Sequence, residues 1–132
     1  MTLATKRHVL AVIPDLFFAT KVAATARASR VELELVAPQH AAARVAEARP
    51  KLVIIDLHAA DAVVLVAAIK AVAPAVPVVG FFSHVEIALR RDALAAGADA
   101  ALPRSQFANR LAVLLTHGLE ALRTPAPGEI TP

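Results

Sequence analysis

Four short apolar runs in this chain each lead directly to residues that can do chemistry. Asp15 follows residues 8–13 across Pro14, and Asp56 closes Leu52-Val53-Ile54-Ile55. Ser83 and His84 follow Val78-Val79-Gly80-Phe81-Phe82, and Arg104 and Ser105 follow Ala100-Ala101-Leu102-Pro103. If these runs are neighbouring strands, their carboxyl ends bring two carboxylates, hydroxyls, an imidazole and a guanidinium to one rim. In such a set a carboxylate can pair with the planar Arg104 fork, or the guanidinium can hold a bound anion. Plainer readings stand beside these, because a strand-terminal Asp is a common turn residue and loop histidines are usually solvated.

Other constellations carry less. His58 and His84 with Asp56, and Asp15 nearby, would suit Zn²⁺ or another transition metal if the loops converged. The run Asp56-Leu57-His58-Ala59-Ala60-Asp61 is similar to the DxHxxG box of cobalamin-binding domains, but Asp61 stands where the glycine is required. No Gly-rich first turn exists for a dinucleotide, and no G-x-S-x-G elbow exists for a hydrolase. The chain is therefore not expected to be an enzyme.

The elements that must position these residues follow from periodicity. Residues 8–13 form a strand, and 16–30 a helix with Phe18, Val22 and Ala26 on one face. Residues 31–36 alternate as an edge strand, with Val31, Leu33 and Leu35 opposed to Glu32 and Glu34. A helix over 39–49 ends at Pro50. The continuous apolar run 52–55 suits a strand covered on both faces. Then come a helix over 62–72, a buried strand over 78–82, a helix over 85–96 stopped by Gly97, a short strand over 100–102, and a last helix capped by Ser105. That helix carries two apolar stripes: Phe107, Leu111, Leu114 and Ala121, and beside them Ala108, Ala112, Leu115, Leu119 and Leu122. Two stripes exceed what one packing surface needs.

Five strands alternating with five helices argue for one α/β domain, a doubly wound five-stranded parallel sheet with helices on both faces. Its expected span is residues 1–123, with a flexible C-terminal tail over 124–132. The 132 residues fit one domain, and a composition that is 58% hydrophobic and 19% charged belongs to a folding chain. No apolar run reaches the roughly 20 residues of a membrane span. Lys6 and Arg7 before an apolar stretch superficially suggest a signal peptide, but Pro14, Asp15 and Lys21 interrupt it, so a cytoplasmic location is expected. The absence of cysteine excludes disulfides and thiolate metal sites. A net charge of +3 permits an acidic partner, yet the arginines are scattered and there is no Trp or Tyr for stacking, so nucleic acid is not an expected partner.

The order of elements and the blocks LVIID, PVVGFF and GADAAL resemble the receiver domain of bacterial response regulators over about residues 7–123. The blocks PDLFF, LVIIDL, GFFSHV and LPRSQF also resemble a branch of small stand-alone receiver-like proteins. The first resemblance implies a flavodoxin-like fold of strand order 2-1-3-4-5, with functional groups at the carboxyl ends of the strands. It places Asp56 at the phosphoacceptor position and Arg104 at that of the family's lysine, with Ser105 replacing the proline that follows. The pattern then breaks. The family's paired acids after the first strand, which help hold Mg²⁺, are reduced to Asp15, so that Asp15 and Asp56 together would hold Mg²⁺ only weakly, with a loss of roughly 4 kcal/mol of attraction for a cation at about 4 Å before solvation is discounted. The hydroxyl position of the fourth strand falls on Phe82, with Ser83 one residue late, and the switch aromatic falls on Ala101.

The expectation is a degenerate receiver-like signalling or protein-docking module that works independently of phosphorylation. A permanent Arg104 to Asp56 pair would imitate the phosphorylated contact. A protein partner, or a second copy in a homodimer, would meet the last helix and its neighbours, decorated by Arg90, Arg91 and Arg110. The alternative is a stand-alone response regulator, phosphorylated on Asp56 by a histidine kinase with Mg²⁺ supported by Asp15.

Overall fold

A computed structural model describes residues 6–83 and 86–123. Its framework is a five-stranded sheet of order β2-β1-β3-β4-β5, all parallel. The strands are β1 (His8–Val12), β2 (Glu32–Leu35), β3 (Leu52–Asp56), β4 (Val78–Phe82) and β5 (Ala100–Pro103). Every residue of β3 and β4 is buried, as continuous apolar runs covered on both faces must be. β2 lies at the edge and exposes Glu32 and Leu35.

The two-residue period of the strands sorts the core into two layers. Val9, Ala11, Leu52, Ile54, Val79 and Phe81 face α1 (Leu16–Ala28) and the C-terminal helices. Leu10, Val12, Val53, Ile55, Val78 and Phe82 face α2 (Pro38–Ala48), α3 (Ala62–Val72) and α4 (Ile87–Ala95). Helices thus cover both faces, as the sequence pattern predicts. Gly80 lets this layering close over the rim: a Cβ there would lie 2.8 Å from the side chain of Leu57, which is buried in the second layer.

The C-terminal segment departs from one continuous helix. It consists of α5 (Arg104–Asn109), α6 (Leu111–His117) and a 3-10 turn (Gly118–Arg123). Arg110, at φ −103° and ψ 4°, separates the two helices, and Gly118 ends the second with a φ of +66°. The break bends the chain back so that Leu119, Ala121 and Leu122 pack against the first layer beside the buried Leu114 and Leu115. Most of the second apolar stripe is therefore satisfied within the molecule, while Ala108, Ala112 and Val113 remain exposed. Arg110 is not a surface decoration. It is 8% exposed, and its Nη1 donates to the Ala121 carbonyl. Ser105 is not the cap either: Pro103 holds that position and Arg104 begins the helix. His84 and the tail 124–132 lie outside the described residues.

Candidate functional site

Parallel strands present all their carboxyl ends on one edge, and this edge carries the candidate residues. After β1, Ile13 and Pro14 lead to Asp15, which caps α1 from an extended backbone. Its Oδ1 accepts from the amides of Phe17 at 3.0 Å and Phe18 at 3.3 Å, two of the donors that a helix start leaves unpaired. Its Oδ2 accepts from Arg104 Nη2 at 2.9 Å. The Arg104 hydrogen bond, followed by that of the Phe18 amide, holds the Asp15 carboxyl below its ordinary value near 3.8. Both oxygens are engaged.

Arg104 reaches Asp15 because β5 ends beside β4 and delivers it across the rim, with Phe82 paired to Pro103. Its guanidinium lies 4.3 Å from the centre of the Phe18 ring and 5.7 Å from that of Phe81. Both are within the range where a ring quadrupole attracts a cation. Phe18, Phe81 and Phe107 form one aromatic cluster, with centroid separations of 5.0 Å, 6.0 Å and 4.8 Å around it. The guanidinium is thus held from below by rings and from the side by a carboxylate. The expected Arg104 to Asp56 pair does not form; Asp15 takes the cation, because the capping geometry turns Oδ2 toward α5.

Asp56 ends β3 and is 8% exposed, on the floor of an open cavity of about 770 Å³. Its Oδ1 accepts from the His58 amide at 2.9 Å, the local turn typical of Asp. His58 folds back over the rim, where its Nε2 accepts from the Ser83 amide at 2.9 Å. That bond needs the Nε2 lone pair, which places the ring proton on Nδ1. The His58 contact ties the ends of β3 and β4 together through main-chain donors, while the Ser83 hydroxyl finds no partner among the described residues. Phe82 packs into the layer under α3 and α4. Asp15, Ser83, Arg104 and Ser105 line the cavity with Asp56, so these rim residues converge; His84 lies outside the described residues. Among the described residues no three His, Asp or Glu side chains gather as a metal cage.

Phe17, Phe18, Lys21 and Phe81 also line this cavity, and reading the sequence for polar chemistry alone passed over them. A usable signal was present. Phe17 and Phe18 are adjacent at a helix start, and Phe18 with Val22 and Ala26 already marks the buried face, which leaves Phe17 turned from it. Phe18 is buried and Phe17 is 89% exposed.

No protein-family model matches the chain, and no curated protein matches it. Solved structures do match. The isolated receiver domain of NtrX from Brucella abortus is 25% identical with a TM-score of 0.72, covering 89% of this chain and 99% of that one. A response regulator receiver domain protein (CheY-like) from Methanospirillum hungatei is 17% identical with a TM-score of 0.77, covering 90% and 98%. The beryllofluoride-activated NtrC4 receiver domain, solved as a dimer, is 19% identical with a TM-score of 0.73, covering 86% and 97%. The fold is that of the response-regulator receiver. Against the longer NtrX chain, at 24% identity and a TM-score of 0.75, this chain spans only 27% of the length.

Receivers imply a Mg²⁺ ion beside the phosphoacceptor, and the residues here do not fit one. Mg²⁺ takes near-octahedral oxygen ligands, usually including one or two carboxylates. Both Asp15 oxygens already accept hydrogen bonds, and the Arg104 cation paired with Oδ2 competes for it from the same cavity. Asp56 alone remains, with one oxygen already accepting from the main chain. The Mg²⁺ role expected for Asp15 and Asp56 would therefore require Arg104 to give way.

Proposed function

We propose that this chain is a receiver-fold signalling module that docks a protein partner without phosphoryl transfer. The observation that carries the reading is the Arg104 guanidinium, stacked on Phe18 and Phe81 and paired with Asp15, which fills the rim with a built-in cation and consumes the acid a metal would need. Phe82 at the hydroxyl position and Ala101 at the switch position agree with it, since neither can report a phosphoryl group. On this reading the module is not an enzyme and acts in the cytoplasm. No helix among the described residues is long and apolar enough to cross a membrane. The partner, or a second copy, meets α4 and the exposed strip of α5 and α6, where Ile87, Arg90, Arg91, Ala112 and Val113 face solvent.

The test is an amide NMR titration with Mg²⁺ and then beryllofluoride, on the native chain and on Asp56→Asn. Unchanged spectra at high ligand concentration support the module. Saturable shifts around Asp56, Ser83 and Arg104 that vanish in Asp56→Asn establish instead a stand-alone response regulator that takes a phosphoryl group on Asp56. The position of Asp56 at the carboxyl end of β3, open to the cavity, favours that second reading.

A further inference from the structure

The cavity is larger than a phosphoryl group needs, and its walls differ from its floor. One wall is the start of α1, with Phe17 and, one turn later on the same face, Lys21. The opposite wall is α5, with Arg104, Ser105 and Ala108. At about 770 Å³ the space matches the size of pockets that hold small organic ligands, roughly 300–1,000 Å³.

We infer that this cleft between α1 and α5 binds a small organic anion with a planar apolar body, of the class of aromatic carboxylates. The sign of the charge follows from what is already neutralised. Asp15 is paired with Arg104, and Asp56 is recessed with one oxygen bonded to the His58 amide. Lys21 is exposed, and no carboxylate among the described residues pairs with it. Arg104 commits only Nη2 to Asp15, and the other N–H groups of its fork donate to no described residue. The charged groups that line the cavity cancel in sum, but they are not spread evenly: Lys21 on the α1 wall is the accessible cation left without a carboxylate among the described residues, and on the α5 wall Arg104, though paired with Asp15, keeps unused N–H donors. Ser105 adds a hydroxyl donor on the α5 side.

The apolar body follows from Phe17. Its ring is 89% exposed at the mouth, beside Leu16 at 78%. A bare inorganic anion would leave that ring in water and bring its charge toward Asp15 and Asp56. A carboxylate on a flat ring pairs with Lys21 and covers Phe17, one turn away on the same helix, with its body, keeping the charge at the α1 wall and away from Asp56.

This inference rests on the reading of the rim as a site without phosphoryl chemistry, and the test separates the two. Amide NMR spectra of the full chain are recorded with phenylacetate, phenethylammonium and inorganic phosphate in parallel. Phenylacetate is expected to give saturable shifts at Phe17, Lys21, Arg104 and Ser105. Lys21→Glu and Phe17→Ser, both exposed changes whose unaltered fold the same spectra verify, are each expected to weaken it about tenfold. Absent or unsaturable phenylacetate shifts overturn the inference, as does phenethylammonium binding equally well. Phosphate binding as tightly as phenylacetate also overturns it, since the ring then contributes nothing. A Mg²⁺ and beryllofluoride response at Asp56 overturns the docking module whatever phenylacetate does, whereas silence to phenylacetate alone leaves that module standing.

Discussion

Arg104 Nη2 lies 2.9 Å from Asp15 Oδ2, and the same Asp15 caps the helix that carries Phe18, the ring beneath the guanidinium. One carboxylate therefore sets both the helix start and the cation position. The two jobs are coupled, because moving the cap moves the ring and the acid together.

Removing the cation should restore what it displaces. In Arg104→Ala, Asp15 Oδ2 is released into the cavity that Asp56 also lines, which loses a positive charge. Mg²⁺ affinity, measured by calorimetry or by amide shifts at Asp15 and Asp56, is expected to rise at least several-fold over the native chain. The stability cost is expected to be about 1 kcal/mol in urea unfolding, the sum of a partly exposed ion pair and a cation–π contact. Arg104→Lys should recover part of that stability, since a compact ammonium keeps the charge and loses the planar fork. No gain in Mg²⁺ affinity for Arg104→Ala would mean that Arg104 is not what blocks the metal.

Acid should weaken this arrangement in a defined window. Asp15 is held below its ordinary value by Arg104 and the Phe18 amide, and Glu34 below its own by Arg44 and, to a lesser extent, His8. Groups with depressed folded values contribute stability that is complete above the unfolded values, 3.8 and 4.5, and is lost as pH falls through the folded ones. Urea midpoints should therefore be insensitive to these two carboxyls at pH 6–7 and fall below about pH 4. Asp15→Asn keeps an oxygen for the cap but loses the titration, so its acid slope should be shallower than that of the native chain. An unchanged slope would remove Asp15 from the account of acid stability.

The sheet was legible because burial on two faces leaves a simple trace. LVII and VVGFF cannot be half-exposed strands, and Glu32 with Glu34 marks an edge, so the succession of elements follows from pattern, while the order of strands in the sheet came from the family resemblance. Helix α3 matches its predicted bounds of 62–72. The C-terminal segment was less legible, since its break depends on a buried Arg110 reaching the Ala121 carbonyl, a tertiary contact that no helical period reveals. At the site, the convergence of Asp15, Asp56, Ser83, Arg104 and Ser105 followed from strand ends. Which acid Arg104 would choose did not, because side-chain pairing across a rim is decided by the cap and the rings beneath it, not by the spacing of residues along the chain.

A side chain at Gly80 should displace Leu57. The added Cβ would meet three carbons of Leu57 at 2.8 Å, and Leu57 is 2% exposed with little room to turn. Gly80→Ala is expected to cost about 1–3 kcal/mol, the usual penalty of overpacking. Because Leu57 follows Asp56, the displacement should also shift the Asp56 and His58 amide resonances. Leu57→Ala in the same chain opens a cavity of its own, yet the pair of substitutions should be less destabilising than the sum of the two singles. Additive losses would show that Leu57 is not the contact that matters.

His58 should prove to be the fastener between the ends of β3 and β4. Its Nε2 is the acceptor for the Ser83 amide, and its own amide is held by Asp56 Oδ1. In His58→Ala the turn at Asp56 survives, since that bond uses the main chain, but the Ser83 amide loses its acceptor at the mouth of the cavity. Exposed to water, that amide costs little globally, so the unfolding free energy is expected to fall by only about 1 kcal/mol. Local opening is the sensitive measurement. Hydrogen exchange at Ser83 should accelerate about tenfold, the equivalent of roughly 1.4 kcal/mol of lost local protection, while amides inside β3 stay unchanged. If Ser83 exchanges at the native rate, the β4 end is held by its packing and not by the imidazole.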